Sequence, residues 1–118
     1  MSSKEFVEYI IYDQLARLPE MSARAMFGGF GLYKSGTIVG IIIDGELYLK
    51  VDETNKKKYE AMGSTPFVYK RKDGKDTEMS YWKIPPEIIE SSEELAALVE
   101  ESYEINLKKA VEKKKPRR

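Results

Sequence analysis

The stretch Thr37-Ile-Val-Gly-Ile-Ile-Ile-Asp-Gly-Glu-Leu-Tyr-Leu-Lys-Val51 decides the fold. Asp44-Gly45 is a two-residue turn in which both residues accept positive φ. The β-branched run before it and the alternating run after it are therefore predicted to pair as an antiparallel hairpin. In the second arm Leu47, Leu49 and Val51 share one face while Glu46, Tyr48 and Lys50 share the other. Such alternation belongs to a sheet that packs on one side.

Upstream, Arg24 to Tyr33 reads as extended chain interrupted by Gly28, Gly29 and Gly31, either one bent strand or two short ones. Before it, Ser2 with Glu5 forms a capping box. Phe6, Val7, Ile10, Ile11, Leu15 and Leu18 then recur at helical spacing, which predicts a helix from about Lys4 to Leu18, stopped by Pro19. Downstream, Glu53 to Met62 is helix-permissive and ends at Gly63, a glycine C-cap. Phe67 to Lys72 and Thr77 to Ile84 flank Asp73-Gly74 as a second hairpin, and Pro85-Pro86 ends the sheet. A last helix opens on the Ser91/Glu94 capping box and carries Leu95, Leu98, Val99, Tyr103 and Leu107 on one face. The order α-β(3)-α-β(2)-α, with hairpins dictating antiparallel pairing, predicts a two-layer α+β domain, one sheet with helices on a face.

A chain of 118 residues fits one domain. It contains no cysteine and no histidine. Disulfides, thiolate metal sites and cysteine nucleophiles are thereby excluded, and the usual base near neutral pH and the commonest metal ligand are missing. No catalytic, cofactor or metal site is expected. Among the carboxylates, Glu5, Glu8, Asp13, Glu46, Asp52, Glu53, Glu78, Glu93, Glu94, Glu100 and Glu101 mostly fall on polar faces, with no spacing that demonstrates convergence on a cleft. The start lacks the pattern of a secretory signal, and the longest apolar run is far short of a bilayer span, so a cytoplasmic protein with no membrane partner is expected. The net charge of zero is unevenly spread. Residues 107–118 carry seven Lys/Arg against Glu112, a net +6, leaving −6 on residues 1–106. The expected organisation is a domain over 1–106, followed by the end of the last helix and a basic tail over 107–118.

The segments Arg24-Ala-Met-Phe-Gly-Gly-Phe-Gly-Leu-Tyr33, Ile41-Ile-Ile-Asp-Gly-Glu-Leu-Tyr-Leu-Lys-Val-Asp52, Phe67-Val-Tyr69 and Met79-Ser-Tyr-Trp-Lys-Ile-Pro-Pro-Glu-Ile88 together resemble the TfoX/Sxy N-terminal domain family up to about residue 107. The resemblance implies a two-layer α+β fold akin to secretion chaperones. It also implies kinship with bacterial regulators of DNA uptake, whose family role is transcriptional co-activation with the cyclic-AMP receptor protein through protein contacts. It implies no catalytic residue. Full-length regulators of the family carry a second, C-terminal domain, where this chain ends in a basic tail.

Three features are candidates for function. The Met26 to Gly31 stretch either lets a strand bend against its neighbour or presents Phe27 and Phe30 as a docking ridge; it lacks the lysine and following helix of a phosphate loop. With Tyr48 these form the expected protein-interaction set, and a homodimer through an edge strand or the last helix is a further expectation. Lys70, Arg71, Lys72 and Lys75 crowd the second hairpin with Tyr69, Tyr81 and Trp82 behind them, an arrangement that contacts nucleic acid or else protects an exposed edge. Lys113, Lys114, Lys115, Arg117 and Arg118 in the tail either add phosphate contacts or remain solvated. The leading expectation is a non-enzymatic regulatory or adaptor domain acting on a protein partner such as a transcription regulator, and the alternative is a nucleic-acid-binding accessory protein.

Overall fold

The computed structural model describes residues 3–26 and 28–114, for residues 113 and 114 the backbone alone. Asp44 (φ 52°) and Gly45 (φ 74°) both take positive φ and close β3 (Thr37–Ile43) onto β4 (Glu46–Lys50). The extended segment upstream forms two strands, β1 (Met21–Met26) and β2 (Gly29–Lys34). Gly28 at φ 70° turns the chain between them. A Cβ at Gly29 would drive into the Ile42 carbonyl on β3, so the glycine permits close strand approach. The second hairpin joins β5 (Pro66–Lys70) to β6 (Asp76–Lys83). Its loop is longer than the Asp73-Gly74 pair: Arg71 donates its N–H to the Lys75 carbonyl and Gly74 takes φ 85°. The six strands form one antiparallel sheet in the order β1-β2-β3-β4-β6-β5.

Helix α1 (Ser3–Glu8) passes directly into a π-helical segment, Tyr9–Gln14, marked by the Leu15 N–H reaching back five residues to Ile10 O. The expected helix to Leu18 is therefore shorter and wider at its end. Ser2 of its expected capping box lies outside the described residues. Helix α2 (Lys56–Ala61) starts later than expected, because Asp52 and Asn55 fold the preceding residues into a turn. Asp52 Oδ1 accepts from Thr54 N, and Asn55 Oδ1 accepts from Asp52 N. Gly63, at φ 74°, ends the helix region as expected. A four-residue helix, α3 (Pro86–Ile89), starts at the proline pair, and α4 (Ser92–Lys114) follows with Ser91 Oγ accepting the Glu94 N–H at 3.3 Å.

The core sits between the sheet and the helices. Val7, Ile10, Ile11, Leu15, Tyr59, Leu95, Leu98 and Val99 from the helical layer pack against Leu32, Ile42, Leu47 and Leu49 from the sheet. The register makes Leu32, Gly40 and Leu49 cross-strand neighbours, and likewise Phe30, Ile42 and Leu47, so the leucine face of the opening hairpin is the buried one. The structure is two-layer α+β with a six-stranded antiparallel sheet, as expected. The difference is a fourth strand before α2, where the sequence left one bent strand or two open.

Candidate interaction surface

Side chains one step out of phase with the core face point to the opposite side of the sheet. Along the registers these are Arg24 and Met26 on β1, Tyr33 on β2, Ile41 and Ile43 on β3, Tyr48 on β4 and Tyr81 on β6. Phe67 joins them, its ring 5.2 Å from that of Tyr48 in an edge-on pair. None of these belongs to the cluster that the helices bury, and the helical layer leaves most of this face bare, the exception being its Tyr81 end, where Asn106 of α4 comes close. Ile41 is nevertheless 5% exposed. Its cross-strand neighbours are Gly31 and Tyr48, and Met26 Sδ and the Tyr33 ring lean over Gly31, 3.0 to 3.2 Å from where a Cβ would stand. The bare face thus carries its own thin aromatic and aliphatic layer. Arg24 lies 5.4 Å over the Tyr33 ring, and Lys83 pairs with Glu46 at 3.7 Å. Tyr48 has its phenol raised, first by burial and then by the carboxylates of Glu46 and Asp44. Aromatic groups with arginine and a charged rim are the composition of protein-contact surfaces.

The β5–β6 hairpin extends this surface beyond the core. β6 pairs with β4 only through Tyr81, Trp82 and Lys83, while Val51 N–H bonds to Ser80 O. From Val68 to Ser80 every residue is exposed, Val68 at 42%, Tyr69 at 53% and Met79 at 38%. The arm therefore projects. Lys70, Arg71, Lys72 and Lys75 ride on it as expected, but they alternate with Asp73, Asp76 and Glu78, for a net charge of +1 over residues 68–80. Arg71 is already paired with Asp73 at 3.2 Å. The aromatics expected behind them separate: Tyr69 stays exposed, Tyr81 lies on the bare face, and Trp82 turns to the core against Tyr59.

The structure does not bring the expected docking set together. Phe30 packs against the core, Tyr48 lies on the opposite face, and Phe27 lies outside the described residues. In the tail, Lys115, Arg117 and Arg118 lie outside the described residues, as do the side chains of Lys113 and Lys114. Tyr33, Ile43, Phe67 and Met26 were missed because alternation alone does not tell which face the helices choose.

A polar knot fixes the end of β4 to α4. The Lys50 carbonyl accepts from Ser102 Oγ at 2.9 Å and from Asn55 Nδ2 at 3.5 Å, and Asn55 Nδ2 also donates to Glu101. Lys58 pairs with Glu101 at 2.7 Å. Below the knot the fully buried Tyr59 hydroxyl has no well-formed hydrogen bond, although Ser102 lies close enough to interact. Burial, with the Glu101 carboxylate second, pushes that phenol well above its ordinary range. Nearby, Lys34 sits 4.1 Å over the Tyr103 ring and pairs with Glu100. Among the described residues no group of three or more acids stands close enough to hold a metal ion, and no helix is long and apolar enough to cross a membrane.

The TfoX N-terminal domain family model matches residues 13–105, and the chain belongs to that family. No curated protein matches the chain.

Proposed function

We propose that this member of the TfoX N-terminal domain family is a non-enzymatic regulatory or adaptor domain that holds another protein against the bare face of its sheet. The observation that carries this reading is the aromatic layer of Tyr33, Tyr48 and Phe67, left uncovered by the helices and bordered by Arg24. Family membership supports a transcription regulator as the partner and competence as the setting. A cytoplasmic location follows from the same reading. A second copy of the chain is another partner this face accepts, and sedimentation separates self-association from foreign binding.

The test is capture of partners by wild-type protein and by the Tyr48→Ser/Ile43→Ser double variant. A protein retained by the first and lost by the second, with the variant still folded by circular dichroism, supports the reading. Equal capture by both contradicts it.

Nucleic-acid binding is a second reading, favoured by one observation: the basic-tipped arm projects clear of the sheet. Its interleaved acids cut the phosphate attraction to a net +1. A binder of this kind loses DNA affinity steeply with rising salt, and truncation after Glu112 flattens that slope; a protein adaptor shows neither effect.

A further inference from the structure

The sheet ends in two edges of unlike character. β5 opens on Pro66, which has no N–H to offer, its register slips between Pro66 and Val68, and it runs into Lys70, Arg71 and Lys72. These are devices that keep a foreign strand away. β1 has none of them. Met21 to Met26 holds no proline and no lysine, pairs with β2 without a break, and has no strand on its other side. The Ser35 N–H bonds to Glu20 O, so by the alternation of an antiparallel ladder Glu20, Ser22, Arg24 and Met26 turn their backbone groups toward β2. Met21, Ala23 and Ala25 turn theirs to the open edge.

We propose that two copies of this chain join β1 to β1, antiparallel about a two-fold axis at Ala23, and so continue one sheet across both. The edge itself selects this register. Centred on Ala23, the pairing uses every outward residue, Ala23 against its own copy and Met21 against Ala25 of the second copy. Centred on Ser22, it leaves Ala25 opposite Pro19, which has no N–H. Centred on Arg24, it sets two like charges face to face. In the Ala23 register Arg24 stands opposite Ser22 of the second copy, with no like charge directly across. On the helix side, Met21 and Ala23 already rest against the core while Ala25 is exposed, so a methionine of each copy covers an alanine of the other and joins the two apolar strips. The bare face stays open in such a dimer and is doubled in extent.

The experiment uses the full chain. Two short strands make a small contact, so wild type is expected to be a concentration-dependent dimer by sedimentation equilibrium, with the Met21, Ala23 and Ala25 amides protected from hydrogen exchange in the dimer. Ala25→Pro removes an outward N–H and leaves the β1–β2 bonds in place, and it should weaken dimerisation at least tenfold with the circular dichroism unchanged. Single cysteines read the register, in a protein that has none of its own. Ala23→Cys is expected to give a disulfide-linked dimer, because opposed residues of a bonded pair stand about 5.5 Å apart at Cα, within disulfide reach. In Ala25→Cys the two thiols stand at opposite ends of the pairing and should not link. A monomer at the concentration of the exchange experiment, undiminished dimerisation in Ala25→Pro, or equal linking at both positions overturns the proposal. So does protection of these amides that appears only when a foreign protein is added, which assigns the edge to that protein. Capture at the bare face is read on Tyr48 and Ile43, so either result stands without the other.

Discussion

The two faces of the sheet are made by the same strands and differ by one residue of phase. On the helix-covered face, Leu32, Leu47 and Leu49 are fully buried and Ile42 nearly so. On the bare face Ile41 is buried under a layer of Tyr and Met side chains that themselves remain partly exposed, and Lys50 is buried at its end. The covered face explains why the chain folds. The bare face needs no aromatics for that purpose, since polar residues would serve a solvent-facing antiparallel sheet. Under the proposed function, the contrast separates residues that stabilise from residues that contact.

The sharpest way to break this contrast is truncation on both sides of β4. Leu49→Ala is expected to destabilise by about 2–5 kcal/mol, from lost transfer energy and the cavity left behind, measured by urea unfolding. Gly40→Ala comes next, at about 1–3 kcal/mol, because a Cβ there meets the Tyr48 carbonyl and the Leu49 side chain, and the backbone cannot move aside cheaply. Tyr48→Ala costs about 1 kcal/mol, chiefly the edge-on pair with Phe67, yet abolishes partner capture. Equal stability losses for Leu49→Ala and Tyr48→Ala would erase the distinction between the faces. The smallest effect belongs to the arm, where Tyr69→Ser stays within about 0.5 kcal/mol of wild type.

Lys50 sharpens the comparison through pH. Its folded pKa of about 8 lies below the ordinary 10.5, so between those values the unfolded chain binds the extra proton and stability rises with pH. Urea unfolding across that window should show the rise, and Lys50→Met should remove the part that belongs to this group. A persistent, undiminished rise in the variant would place its origin elsewhere.

Much of this architecture was legible because local chemistry dictates it. Asp44-Gly45 closes the first hairpin, Gly63 ends the second helical segment, and Ser91 caps the last helix. What was not legible depends on distant partners. Met21 to Met26 holds no β-branched or aromatic residue to declare a strand, and it forms one because β2 offers an edge. The π-helical turn at Tyr9–Gln14 keeps the helical apolar stripe, so periodicity does not betray it. Phe30 and Tyr48 looked alike as exposed aromatics, and only the register through β3 puts them on opposite faces. The hairpin at Asp73-Gly74 was plain, whereas its projection follows from β4 pairing with no more than three residues of β6. The Lys50–Ser80 contact joins residues far apart in sequence and carried no local signal.

The most direct measurement is site-specific photo-crosslinking in cells, with a benzophenone side chain replacing Tyr48 on the bare face or Ala97 on the exposed side of α4. The account predicts a discrete covalent adduct with one protein from position 48 and none from position 97. The same adducts at both positions, or none at position 48, would contradict it.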